Sequence, residues 1–188
     1  MSSQAKAKGL LAEFKGESYL FGPGVLGRVG EVAAKSGKRA ALVRETFPGS
    51  DAYIDRIRTS LTDAGVEVVA VIQGAQPNCP REDLYRITEE LKTAGPEVII
   101  SFGGGSTIDA AKAAEVLRTL GGGIEGYFGT GLVTAALAKT GKRLTPHVAI
   151  QTVSSSGAHL TKYSNITDVS TGQKKLIVDE AIVPSFPM

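Results

Sequence analysis

Residues 103–112 read Gly103, Gly104, Gly105, Ser106, Thr107, Ile108, Asp109, Ala110, Ala111 and Lys112, directly after the apolar run 98–102. Three glycines let a backbone approach a bulky anion and turn several N–H groups toward it. A helix beginning at Ser106 adds its unpaired N–H groups and the positive end of its dipole. The chemistry implied is phosphate binding at the carboxyl end of a strand, where open α/β sheets take their ligands. A purely structural role competes with it. Ser106-x-x-Asp109 is a close variant of the capping box, in which both side chains only cap the helix, and Lys112 then reads as a surface charge.

Two other segments carry related chemistry. Residues 22–27 match G-x-G-x-x-G, and Glu45 follows 18 positions after Gly27, where a dinucleotide fingerprint has its acidic residue. The preceding residues 17–21 make a poor buried central strand, which favours a turn between an edge strand and a helix from Val25 to about Ser36. Thr152, Val153, Ser154, Ser155, Ser156 and Gly157 follow a short apolar run. Their hydroxyls suit adenine, ribose or phosphate, or else cap the next element. Cys79 lies in the turn-rich stretch 76–80 with no histidine near it in sequence, so it reads as a structural loop thiol.

The elements that must position these residues alternate. Residues 39–43 read as a strand, and Ser50 and Asp51 open a helix with Ile54, Ile57 and Leu61 at helical spacing, closed by Gly65. Residues 66–72 are the next strand. Leu84, Ile87 and Leu91 mark a helix that stops at Gly95 and Pro96. Residues 98–102 form a third strand whose unbroken apolar character suits a sheet covered on both faces. A helix follows from Ser106 to about Leu120, then a glycine-rich excursion over 121–131, a short helix, a strand at 148–150 and another at 174–178. This order predicts right-handed βαβ units: an α/β fold with a Rossmann-like parallel sheet and helices on both faces.

Composition narrows the function classes. The chain has 188 residues and a net charge of +2, which argues against a strongly basic nucleic-acid binder. One cysteine excludes an internal disulfide framework and a multi-cysteine zinc site. No apolar run approaches the length of a membrane span, and the apolar run at 10–12 is too short for a signal peptide. The expected compartment is cytoplasmic, and residues 1–16 read as a flexible, solvated tail, with a short docking helix as the other possibility. The 23 glycines are the unusual count, and the motifs above account for many of them.

Residues 103–112 resemble the G-G-G-S-x-x-D-x-A-K signature of the iron-containing (group III) alcohol dehydrogenases. Residues 148–157 resemble that family's A-I-P-T-T-A-G-T-G segment, residues 21–24 its F-G-x-G turn, Pro77 and Asn78 its P-N-P loop, and residues from Lys174 to Pro184 its K-x-x-I…P stretch. The resemblance implies a dehydroquinate synthase-like N-terminal domain over 17–188 that binds NAD, with NADP possible. It implies Glu45 on the adenosine ribose and Asn78 near the adenosine. It places Gly103, Gly104, Gly105 and Ser106 around the pyrophosphate, and Asp109 in the cleft. Thr152, Ser156 and Thr161 fall at family hydroxyl positions, and Lys174 beside a cofactor ribose. Gln151, Val153, Cys79, Ala158 and His159 depart from the pattern.

In that family a helical C-terminal domain carries the ligands of Fe2+ or Zn2+, beginning with a D-A-x-x-H helix that this sequence lacks. The chain is therefore expected to be the cofactor half of an alcohol dehydrogenase acting on a small alcohol or aldehyde, inactive alone, with no metal site, no nucleic-acid or membrane partner, and a tendency to form a homo-oligomer. A non-enzymatic nucleotide-binding module and a dehydroquinate synthase-like lyase relative are the alternatives.

Overall fold

A computed structural model describes residues 3–154 and 156–188. Its helices are α1 (Ser3–Lys15), α2 (Val29–Ala33), α3 (Ser50–Asp63), α4 (Arg81–Ala94), α5 (Gly105–Leu120) and α6 (Leu132–Thr140). Its strands are β1 (Arg39–Arg44), β2 (Glu67–Gln73), β3 (Val98–Gly103), β4 (Gly129–Thr130), β5 (His147–Gln151), β6 (Tyr163–Asp168), β7 (Gln173–Val178) and β8 (Phe186–Pro187).

Five strands form one parallel sheet in the order β2-β1-β3-β5-β8. β3 is buried along its whole length because it lies mid-sheet with helices on both sides. Side chains alternate across a strand, so neighbours in β1 enter different cores. Ala41 and Val43 pack with Leu84, Ile87 and Leu91 of α4 and with the apolar face of α5. Ala40 and Leu42 pack with Val32 of α2 and with Ile54, Ile57 and Leu61 of α3. The structure is the α/β fold with a Rossmann-like parallel sheet and helices on both faces that the alternation of elements predicts.

Several local expectations are corrected. Residues 17–21 form no edge strand: a 3-10 turn covers Gly16–Ser18, and Leu20 N–H donates to the Pro187 carbonyl at 3.1 Å. The helix expected over 25–36 is split into a 3-10 turn, Val25–Arg28, and the short α2. The segment expected as a tail is helical over Ser3–Lys15, rich in the helix formers alanine, leucine and lysine, with Leu10 and Phe14 exposed; Met1 and Ser2 lie outside the described residues. β6 was not expected. It makes an antiparallel hairpin with β7, and β4 adds a short parallel edge. β8 was also not expected, because Pro187 argues against a strand, but an edge position tolerates it. Among the described residues no helix is long and apolar enough to cross a membrane.

The glycine at position 30 illustrates close packing. Gly30 N–H donates to Ser60 Oγ at 2.9 Å, and a Cβ placed there would lie 1.8 Å from the Ser60 carbonyl oxygen on α3. Gly30→Ala is expected to destabilise the protein by about 2 kcal/mol, seen as a lower thermal midpoint by circular dichroism. An unchanged midpoint would mean that α2 is free to shift.

Candidate functional site

β3 ends at Gly103, and α5 starts at Gly105 with Gly104 as its N-cap in extended conformation. No side chain of the cap closes this helix. Glu45 does so from just beyond β1: its Oε2 accepts from Gly104 N–H at 2.8 Å. The N–H groups of Gly105, Ser106 and Thr107 follow in the first turn, where a helix offers no internal acceptor. Each glycine has its own reason to be there. A Cβ at Gly103 would lie 2.8 Å from Thr107 Cβ, and one at Gly105 2.6 Å from Ser156 Oγ. At Gly104 the nearest atoms are Glu45 Oε2 and Val153 Cγ2, both 3.6 Å away, so an added side chain would meet ordinary contacts rather than a clash.

The carboxylate of Glu45 forms no ion pair among the described residues. The neighbouring Arg44 guanidinium pairs with Asp51 at 2.6 Å and Ser50 Oγ at 2.5 Å, and its Nε donates to the Glu45 carbonyl at 3.4 Å, not to the carboxylate. Glu45 N–H donates to the Phe102 carbonyl at 2.8 Å, which anchors this residue to β3.

Asn78 ties three segments together. Its N–H donates to Ser106 Oγ at 3.0 Å, its carbonyl accepts from Thr167 Oγ1 at 2.6 Å, and its Oδ1 accepts from Lys174 Nζ at 2.8 Å. Both Asn78 and Cys79 have positive φ, 70° and 52°, so the loop is held in a sparsely populated conformation. Cys79 is buried, and burial raises its thiol pKa, with Asp109 and Asp83 adding to the effect. That keeps it protonated and inert, in line with a structural thiol.

The capping-box reading of Ser106 and Asp109 is corrected. The helix begins one residue earlier than expected, which moves Asp109 past the first turn. Its carboxylate accepts from Asn165 N–H at 3.0 Å and Asn165 Nδ2 at 3.2 Å, and its backbone carbonyl accepts from Ser164 Oγ at 2.8 Å. Burial raises the Asp109 pKa, while Lys112 and Asn165 pull it back.

Lys112 is no surface charge. It is 2% exposed, and its ammonium donates to the carbonyls of Ala158 at 2.6 Å, Thr161 at 2.8 Å and Tyr163 at 2.8 Å. Burial pushes its pKa down to about 8, with Asp109 at 4.0 Å acting against that. Three protons meet three carbonyls, so α5 is tied to the segment that opens β6. The signal in the sequence was a lysine embedded in alanines, on what proves to be a fully buried helix face.

The remaining candidates fall on the same side of the molecule. Thr152 N–H donates to the Gly103 carbonyl at 3.1 Å, and Ser156 faces Gly105. Ser155 lies outside the described residues. Asp109, Ser156, Thr161 and Asn165 line one cleft. Tyr19, Phe21, Thr152, Val153 and His159 line another. Glu45, Gly103, Gly104, Gly105, Ser106, Asn78, Thr152, Ser156 and Lys174 therefore ring the carboxyl edge, and Asp109 and Thr161 sit in the adjoining cleft. A wider groove lined by Arg39, Glu67, Glu89 and Glu90 lies at the amino end of β1 and β2, away from this edge.

The two histidines are separately engaged. His159 Nδ1 lies 2.6 Å from Gln151 Oε1, so two positions that depart from the family pattern are partners of each other. Burial lowers the His159 pKa, and Lys112 lowers it further. His147 Nε2 lies 2.7 Å from Ser101 Oγ in the sheet, and burial, then Lys112, push its pKa from 6.5 down to about 3. The unfolded chain thus takes up this proton first as the pH falls. The stability held by neutral His147 is complete above about pH 6.5 and is lost toward pH 3, at up to about 1.4 kcal/mol per pH unit. In chemical denaturation at pH 7 and pH 5, the protein is expected to lose about 1–2 kcal/mol more than His147→Gln. Equal losses would contradict this. Among the described residues no group of three or more His, Cys, Asp or Glu could hold a metal ion.

Comparison with known proteins puts these motifs in context. The sequence profile described as iron-containing alcohol dehydrogenase matches residues 16–187. The NAD-dependent methanol dehydrogenase of Bacillus methanolicus is 29% identical over 167 residues, which is 88% of this chain and 42% of that protein. The sulfoacetaldehyde reductase of Bilophila wadsworthia is 33% identical over 150 residues, 80% of this chain and 37% of that protein. Among solved structures, a 1,3-propanediol oxidoreductase superposes with a TM-score of 0.80 at 28% identity, over 90% of this chain and 42% of that one. The chain thus spans about two fifths of the length of the curated relatives it matches.

Proposed function

Because the chain belongs to the iron-containing alcohol dehydrogenase family, we propose that it binds NAD along the carboxyl edge of its sheet, as the cofactor-binding half of a metal-dependent dehydrogenase that interconverts small alcohols and aldehydes. The observation that carries this reading is the opening of α5 at the carboxyl end of β3, where Gly105, Ser106 and Thr107 bring first-turn N–H groups that have no acceptor within the helix. The diphosphate of NAD fits there, held by backbone N–H groups and the helix dipole. Glu45 then accepts from the adenosine ribose hydroxyls, and an acidic side chain at that place disfavours the 2′-phosphate of NADP. Asn78, on the adenosine side, and Lys174, beside a cofactor ribose, are bonded to each other and hold one another in place. Asp109, Thr161 and Ser156 line the adjoining cleft, and Thr152 borders the one lined by Tyr19 and Phe21.

When bound, the nicotinamide supplies the hydride acceptor or donor. The work of this chain's residues is to hold and orient it. Fe2+ or Zn2+ does not fit the described residues: His147 is bound to Ser101, His159 to Gln151, and no metal-ligating group surrounds either. Polarising the alcohol oxygen therefore falls outside what the described residues do, and the chain alone is expected to bind cofactor without turning over alcohol.

Calorimetric titration tests the reading. NAD is expected to bind at least about tenfold more tightly than NADP, a difference of about 1.4 kcal/mol, and Glu45→Ala is expected to narrow that gap. Absence of heat with either dinucleotide would refute it.

A further inference from the structure

We propose that Glu45 is a built-in occupant of the phosphate cradle, and that it leaves only for a ligand whose ribose diol can receive its carboxylate. This rests on the NAD-binding reading above and concerns how that site is opened. The carboxylate sits on Gly104 N–H at 2.8 Å, at the helix opening where the proposed diphosphate would bind. A charge at the start of α5 is held there by that N–H and by the helix dipole.

The backbone of this residue is pinned, so the change is a side-chain rotation. Glu45 N–H is bonded to Phe102, and the preceding carbonyl, of Arg44, accepts from Gly74 N–H at 2.7 Å. Neighbouring cations do not reach the carboxylate: Arg44 is engaged by Asp51, Ser50 and the Glu45 carbonyl, and Lys174 by Asn78. A bare diphosphate must therefore expel the carboxylate into solvent and bind beside a like charge. A nucleotide with a free diol offers two hydroxyl donors to the same carboxylate, which replace the lost N–H with charge-assisted hydrogen bonds. A 2′-phosphate removes a donor and adds repulsion, so it neither releases Glu45 nor tolerates it. One side chain thereby couples access to the cradle with the identity of the ribose.

Inorganic pyrophosphate separates the two roles, because it has phosphates and no diol. It is titrated into the protein and into Glu45→Gln by calorimetry, with the 15N–1H signals of Gly104 and Gly105 followed in parallel. Glu45→Gln is expected to bind pyrophosphate at least about tenfold more tightly than the parent protein, with those signals moving, while its affinity for NAD does not gain in the same proportion. Equal pyrophosphate affinity in the two proteins would overturn the proposal and leave the cradle standing. Pyrophosphate that moves neither signal in either protein, while NAD binds the parent, would overturn the proposal and the cradle together.

Discussion

Lys112→Met is expected to destabilise the fold by about 3–5 kcal/mol, read from the midpoint of chemical denaturation. Methionine keeps the length and the apolar stem of the side chain, so little packing is lost. What disappears is the ammonium on which the Ala158, Thr161 and Tyr163 carbonyls converge. A buried carbonyl left without a donor costs about 1–3 kcal/mol. Relief from burying the charge offsets part of that, since burial already pulls the Lys112 pKa down. Asp109 also loses the cation 4.0 Å away, although its bonds to Asn165 remain. The damage is expected to concentrate in the segment leading into β6, visible as faster amide exchange of residues 158–165. A loss below about 1 kcal/mol would show that this segment is held by other contacts.

Gly104→Ala is expected to weaken NAD binding by about thirtyfold or more, roughly 2 kcal/mol, with stability changed by no more than about 1 kcal/mol. The backbone here, φ −77° and ψ −174°, suits any residue. The added methyl would meet Glu45 Oε2 and Val153 Cγ2 at 3.6 Å, an ordinary contact distance. The fold therefore accepts it. On the proposed binding mode the site does not, because the methyl would crowd the diphosphate at the N–H groups that open α5. Calorimetry with NAD, set beside a thermal melt, separates these effects. Unchanged affinity in the folded variant would place the phosphates elsewhere.

The parts of the structure legible in the sequence were those set by local pattern. β3 was readable because its apolar run is continuous, as a covered central strand requires, and the glycines after it marked where α5 begins. Gly65 and Gly95 end α3 and α4 in left-handed conformation, as helix stops should. Contacts distant in sequence were not legible. The alanines around Lys112 signal a buried helix face, but the carbonyls that its ammonium meets belong to residues 158–163, which nothing local reveals. Ser106-x-x-Asp109 has the spacing of a local cap, yet Ser106 pairs with Asn78 and Asp109 with Asn165, each from a different part of the chain. β6 mixes polar and apolar residues, and its buried positions, Ser164, Ile166 and Thr167, include two polar ones that an apolar-run search passes over. The aromatic and leucine residues at 19–21 suggested an edge strand, but their one backbone bond to the sheet edge is Leu20 to Pro187. For the site, motif spacing tied Glu45 only to residues 22–27, and it was the family resemblance that set it with the glycines at 103–105. The bond that joins Glu45 to Gly104 depends on β1 and β3 being neighbours, which no spacing reports.

The most direct test of the central claim is titration of NAD into the 15N-labelled protein, following the amide signals of Gly104, Gly105 and Ser106. The account predicts saturable shifts at these three residues, with smaller ones at Glu45 and Asn78. Binding that leaves all three unmoved, or no binding, would contradict it.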